Sequence, residues 1–133
     1  MRNFTTGAAR DTDAGKYDYE GFISPVVMEA FAAYMHFNRL QADGNLRGSD
    51  NWQNGIPLDV YMKSGWRHFF DWWREHREIE TKEGAVFALC GLMFNLQGYL
   101  HELLKADETM LDYEIARAEV ARKQRWAEAS EQK

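Results

Sequence analysis

The chain reads as an all-α protein, and three observations predict it. Apolar residues recur at helical spacing from Leu58 onward through Tyr61, Met62, Gly65, Trp66, Phe69, Phe70 and Trp73. Ser24-Pro25 is a helix opening, with an N-cap hydroxyl followed by a proline at the first helical position. The segment from Glu83 to Lys105 is apolar on nearly every face, as expected of the central helix of a bundle. With 133 residues, of which 45% are hydrophobic and 14% aromatic, the chain is sized for one domain, residues 1–133, with a sizeable core.

Residues 1–22 carry three glycines and no helical period, which predicts an extended arm rather than a helix. Phe4, Tyr17, Tyr19 and Phe22 are costly to leave in water, so the arm is expected to lie across the body and to bring Arg10, Asp11 and Lys16 onto it; a disordered tail is the alternative. A first helix follows over 24–40, with Val27, Phe31, Tyr34 and Met35 as its core face. Glu29 and His36 stand on the same helix as polar candidates. Residues 41–57, with Gly44, Gly48 and Gly55 among Asp and Asn, form a long loop. In that loop Asn51 offers hydrogen bonds and Trp52 a stacking surface, or else Trp52 simply anchors the loop on the core.

Pro57 suits the first position of a second helix over 58–78, after which a charged connection leads to a third over 83–105. Gly91 and Gly98 lie two turns apart on the third helix and permit a close helix approach. Asn95 is its polar exception, and a buried amide must find partners either in the core or on a ligand. Asp107 is placed to cap a last helix over 107–128, solvated or packed on a second copy through Met110, Tyr113, Ala116 and Val120.

Charge and cysteine content exclude several functions. Sixteen Lys and Arg against 21 Asp and Glu give a net charge of −5, so no global positive field draws nucleic acid or an anionic membrane. A small phosphorylated ligand needs only a few local cations. The single Cys90, in an apolar run, excludes an intrachain disulfide and a thiolate metal cluster and reads as a core residue. No run of 18 apolar residues and no signal-peptide pattern is present, so a cytoplasmic location is expected.

The candidate site is a stripe on the second helix. Lys63, Arg67, His68, Asp71 and Glu75 follow steps of three and four beside the aromatic stripe. Basic groups followed by acidic ones suit a phosphate with its metal. Ion pairing between successive turns of a solvated face is the competing account.

At TGAARD with Gly15-Lys16, DYEGFISP, the Glu29 helix, RGSDNWQNGIPLDVYMKSGWRH, and ALCGLMFN followed by GYLHELLK, the chain resembles a family of bacteriophage proteins. These are the dATP/dGTP diphosphohydrolases, relatives of the all-α nucleoside triphosphate pyrophosphatases of MazG type, and the similarity spans roughly residues 5–105. The resemblance implies a four-helix MazG-like bundle, often dimeric, with the extended N-terminal arm and the long loop between the first two helices as its additions. It further implies acids on two or more helices holding Mg²⁺ or Mn²⁺ against a triphosphate, with water attack giving a nucleoside monophosphate and pyrophosphate. In the family's Glu-Glu-x-x-Glu helix only Glu29 fits, since Met28 and Ala32 flank it, and in the Glu-x-x-Asp helix Glu83 is followed by Val86 at the acid's position.

Two readings follow from that depleted acid set. As an enzyme, the chain would use Glu29, Asp71 and Glu75 as a rearranged catalytic and metal site, with Arg10, Lys16, Lys63 and Arg67 on the phosphates, Asn51, His68 and Asn95 as further contacts, and Trp52 or Tyr61 on the base. As a binding protein without a metal, it would hold a nucleotide uncut, for instance to sequester a nucleotide-derived immune signal of the host. A homo-oligomer with sites near its subunit interfaces is expected in either case.

Overall fold

A computed structural model describes residues 1–132. Its elements in chain order are a two-residue hairpin, β1 (Arg2–Asn3) and β2 (Ala9–Arg10), a helical turn α1 (Tyr19–Phe22), α2 (Pro25–Phe37), a 3-10 turn (Asn51–Asn54), α3 (Leu58–His76), α4 (Gly84–Ala106) and α5 (Met110–Glu131). The strands pair antiparallel, Arg2 opposite Arg10. The architecture is therefore mostly helical, with that hairpin as the strand pair among the described residues.

The ends of the helices follow local chemistry. Ser24 caps α2 by accepting from the Val27 amide at 3.3 Å, with Pro25 in the first turn. α2 stops at Phe37, three residues before the predicted end, because the Asn38 side chain turns back to donate to the Tyr34 carbonyl at 2.7 Å. Beyond it Leu40 and Leu46 form an antiparallel bridge around Gly44, whose φ of 84° suits the turn, and the Arg39 and Arg47 guanidinium groups tie this loop to backbone carbonyls. Pro57 stands just outside α3 as its cap rather than as its first residue. α3 ends with the Ile79 amide donating to the Arg74 carbonyl at 2.9 Å across Glu78, which is left-handed at φ 61°.

α4 is the centre, as its all-round apolar sequence predicts: α2, α3 and α5 all pack on it. α3 and α4 make the most extensive contact, an antiparallel pair whose seam buries Tyr61, Ala88, Gly91, Asn95 and Gly98. The glycines are the reason for the close approach. The His68 ring lies over Gly91 and the Tyr61 ring over Gly98, leaving no room for a β-carbon at either. Tyr34 of α2 closes one flank of the pair, its ring edge-on to Phe87 at 5.5 Å and to His68 at 6.3 Å.

Two sequence expectations need correcting. Every residue from 1 to 29 is exposed, Phe22 at 86%, so the arm does not lie across the body and Arg10 and Lys16 stay on a projecting hairpin and its loop. The hairpin closes on its own local bonds, the Phe4 amide donating to the Ala8 carbonyl and the Gly7 amide to the Phe4 carbonyl, both at 2.9 Å. On α3 the core face is narrower than its periodicity suggests: Tyr61 is buried and Gly65 half-buried, whereas Met62, Trp66, Phe69, Phe70 and Trp73 are exposed, Trp66 at 65%. Only the stripe that meets the α4 glycines can come close enough to be covered. Val27 of α2 is likewise exposed, while Phe31 and Met35 are half-buried and Tyr34 buried.

Candidate functional site

The α3–α4 pair has two flanks, and they differ in chemistry. On α4, Phe87, Phe94 and His101 are seven residues apart and share one flank, where they meet Tyr34, Tyr61 and Trp52 respectively. α2 and the Asn51–Asn54 turn therefore sit on the same side. By helical period Arg67 and Asp71 leave α3 towards that side, and Lys63 follows one turn before Arg67. By that period Arg67 and Asp71 face the flank that carries α2 and the Asn51-Trp52 turn, whereas Lys63 points away from α4.

At the junction of α2, α3 and α4 stands a polar cluster. Nδ1 of His68 donates to Oε2 of Glu83 at 2.9 Å, both side chains being about four-fifths buried. Tyr34 and Cys90 lie beside it. Burial, then the Glu83 carboxylate, pushes both the Tyr34 phenol and the Cys90 thiol above their ordinary ranges, so Cys90 is held as an unreactive thiol. In the sequence Glu83 stands out only as the first acid of the Glu-x-x-Asp pattern that the resemblance implies; its pairing with His68, 15 residues away on another element, is not legible there. Tyr34 was legible only as a core residue.

The remaining candidates separate. Glu75 accepts from the amide and the hydroxyl of Thr81, each at 2.8 Å, which holds its carboxyl below the usual range and latches the turn into α4. Thr81 passes the link on by accepting from the Gly84 amide at 3.1 Å. Tyr61 is 1% exposed, so it offers no face to a base. Its hydroxyl and Oε1 of Glu102 are buried without hydrogen-bond partners, and burial with the Glu102 charge raises the phenol's pKa. Asn95 donates to the Gly91 carbonyl of its own helix at 2.7 Å and packs on Gly65, which ties it into the seam. Trp52 is half-buried with its ring edge-on to His101 at 4.7 Å, anchored on α4 while keeping part of its surface in solvent.

Glu29, exposed on α2, Asp71, half-buried on α3, and Glu75, engaged by Thr81, do not gather: among the described residues no group of three or more His, Cys, Asp or Glu is close enough to hold a metal ion. The donor set does not fit a divalent cation within one chain, since such a cation takes several oxygens converging on one point. The cations of the stripe are also unengaged. Ion pairs among the described residues join Arg2 to Asp13, His68 to Glu83, Lys105 to Glu102 and Arg117 to Glu114. Arg67 and Asp71, one turn apart, are not so joined, and neither is Lys63. Comparison with family models, with curated proteins and with solved structures gives no match to this chain.

Proposed function

We propose that this protein binds a nucleotide, or a small phosphorylated molecule derived from one, on the flank shared by α2, the Asn51-Trp52 turn and the charged stripe of α3. One observation carries the reading: Lys63 and Arg67 stand a turn apart on the exposed side of α3, and among the described residues neither joins an ion pair. Two exposed cations one turn apart are free to engage a phosphate, the guanidinium through charge-assisted, bidentate hydrogen bonds. The half-exposed Trp52 supplies an aromatic surface for a base on the same flank.

The resemblance to dATP/dGTP diphosphohydrolases agrees with this ligand class, and with a MazG-like arrangement in which α2, α3 and α4 are three of four helices. It also implies hydrolysis to a monophosphate and pyrophosphate. The dispersed positions of Glu29, Asp71 and Glu75 favour holding the ligand over cutting it, which would suit a phage protein that sequesters a nucleotide-derived signal of host defence.

Calorimetry with dATP, dGTP and cyclic dinucleotides in the presence of a chelator tests binding. We expect heat of binding for at least one of them, reduced at least tenfold in affinity in Arg67→Ala, as expected for loss of a charged contact of about 1.5–3 kcal/mol. No heat with any of them, or an unchanged affinity in Arg67→Ala, rejects the proposal. Pyrophosphate release from dATP or dGTP with Mg²⁺ or Mn²⁺, lost in Glu29→Gln, would instead establish the hydrolase.

A further inference from the structure

The side of α3 richest in large apolar groups is not the side that α4 covers. Tyr61 meets Gly98 of α4, whereas Met62, Trp66, Phe69 and Trp73 stand about 80–140° further round the helix, all exposed. With Leu92, Leu96 and Leu100 of α4, the first three of these line an open groove of about 500 Å³ on the flank opposite α2. No charged residue lines it, and the apolar surface continues over the outside of α4, where Val86, Leu96 and Leu100 are each more than half exposed. Cations border this face on its α3 side. Lys63 lies about 60° from Trp66 around the helix. The Arg74 guanidinium stacks over the Phe70 ring at 5.7 Å and that of Arg77 over the Trp73 ring at 5.8 Å. None of the three cations joins an ion pair among the described residues, and Asp59, one turn before Lys63, is the acid that α3 places on this border.

We infer that this face docks peripherally on an anionic lipid membrane, no helix among the described residues being long and apolar enough to cross one. Three observations select that occupant. The basic border is complementary in charge to lipid phosphates, and it acts at contact range, because the chain as a whole carries a net −5 and supplies no long-range pull. Exposed Trp and Phe beside Lys and Arg, on one amphipathic helix, have the composition of a helix that lies in the plane of a membrane interface, rings in the acyl boundary and cations at the headgroups. Finally, the groove is almost entirely apolar. A protein partner is held in register by hydrogen bonds within the contact, whereas acyl chains need none.

Sedimentation of the full chain with vesicles tests the assignment. It is expected to pellet with phosphatidylcholine vesicles that contain phosphatidylglycerol, far less with phosphatidylcholine alone, and less with either as salt rises. Bound protein should show blue-shifted tryptophan emission, quenched by lipids brominated on the acyl chain, because Trp66 then sits among the chains. That quenching is read on the wild type and needs no variant to fold. Leu96→Asp and the double change Arg74→Glu with Arg77→Glu, each checked by circular dichroism for retained helix, should weaken partitioning about tenfold or more. Val120→Asp on α5 should leave it unchanged. A wild type that stays in the supernatant with both kinds of vesicle overturns the inference, and a mass of twice 15.6 kDa in light scattering would then give the face to a second copy. Equal binding to the two kinds of vesicle overturns it as well, as do unquenched emission from the pelleted protein and a folded Leu96→Asp variant that binds like the wild type.

Discussion

Gly91 and Gly65 show how differently a methyl group acts at two places in one seam. A β-carbon on Gly91 would stand 2.5 Å from Nδ1 and Cε1 of His68, and that ring is held in place by Glu83. On Gly65 it would meet the Asn95 β-carbon at 3.6 Å, an ordinary contact. Gly91→Ala is therefore expected to destabilise the fold by about 1–3 kcal/mol through overpacking. Gly65→Ala, which gains helix propensity without a clash, should stabilise by up to about 1 kcal/mol. Urea unfolding of the two variants checks the pair, and equal effects would show that the His68–Gly91 contact does not limit the approach of the helices. The same contact explains why His68, one of the candidate ligand residues, faces α4 rather than solvent.

Among the elements, α3 has the ends that reveal most about its connection. Its last turn closes through Glu78 in the left-handed conformation, a position where glycine avoids a cost of about 1–2 kcal/mol. Glu78→Gly should raise stability by about 0.5–1 kcal/mol, after the greater freedom of glycine in the unfolded chain is counted, as a higher urea midpoint would show. The next residues are fixed differently, by the Glu75–Thr81–Gly84 chain of hydrogen bonds. Together the two devices make a short rigid turn that sets the antiparallel register, Tyr61 against Gly98 and His68 against Gly91. α5 has no comparable fixing. Contrary to the sequence expectation Asp107 does not cap it: its carboxylate accepts from the amide and hydroxyl of Thr109, α5 begins at Met110 without a side-chain cap, and the helix leaves the body with no buried residue.

At the scale of the whole molecule the two flanks of α3–α4 are available for two separate tasks. Met62 and Trp66 point into the apolar groove; Arg67 points about 100° away from Trp66 around the helix, whereas Lys63 is only about 60° from it. Leu96→Asp, in the groove, is therefore expected to keep nucleotide affinity within a few-fold, whereas Arg67→Ala loses it. A loss in Leu96→Asp as large as in Arg67→Ala, measured by calorimetry, would mean that the ligand site extends to the groove.

The sequence by itself determined the helices and most of their ends, because caps, prolines and apolar periods act over three or four residues: Ser24-Pro25 and the start of α3 after Pro57 were both legible. It also marked Gly91 and Gly98 as points of close approach. Only the tertiary structure decided which aromatic stripe of α3 is covered, since neighbouring stripes share the same period and differ only in what the facing helix can accept. It likewise decided that His68 meets Glu83, that Glu75 is spent on Thr81, and that the amino-terminal arm stands clear of the helices. Those outcomes depend on residues distant in the chain or on surface that a local pattern does not describe, and the candidate site rests on them more than on any motif.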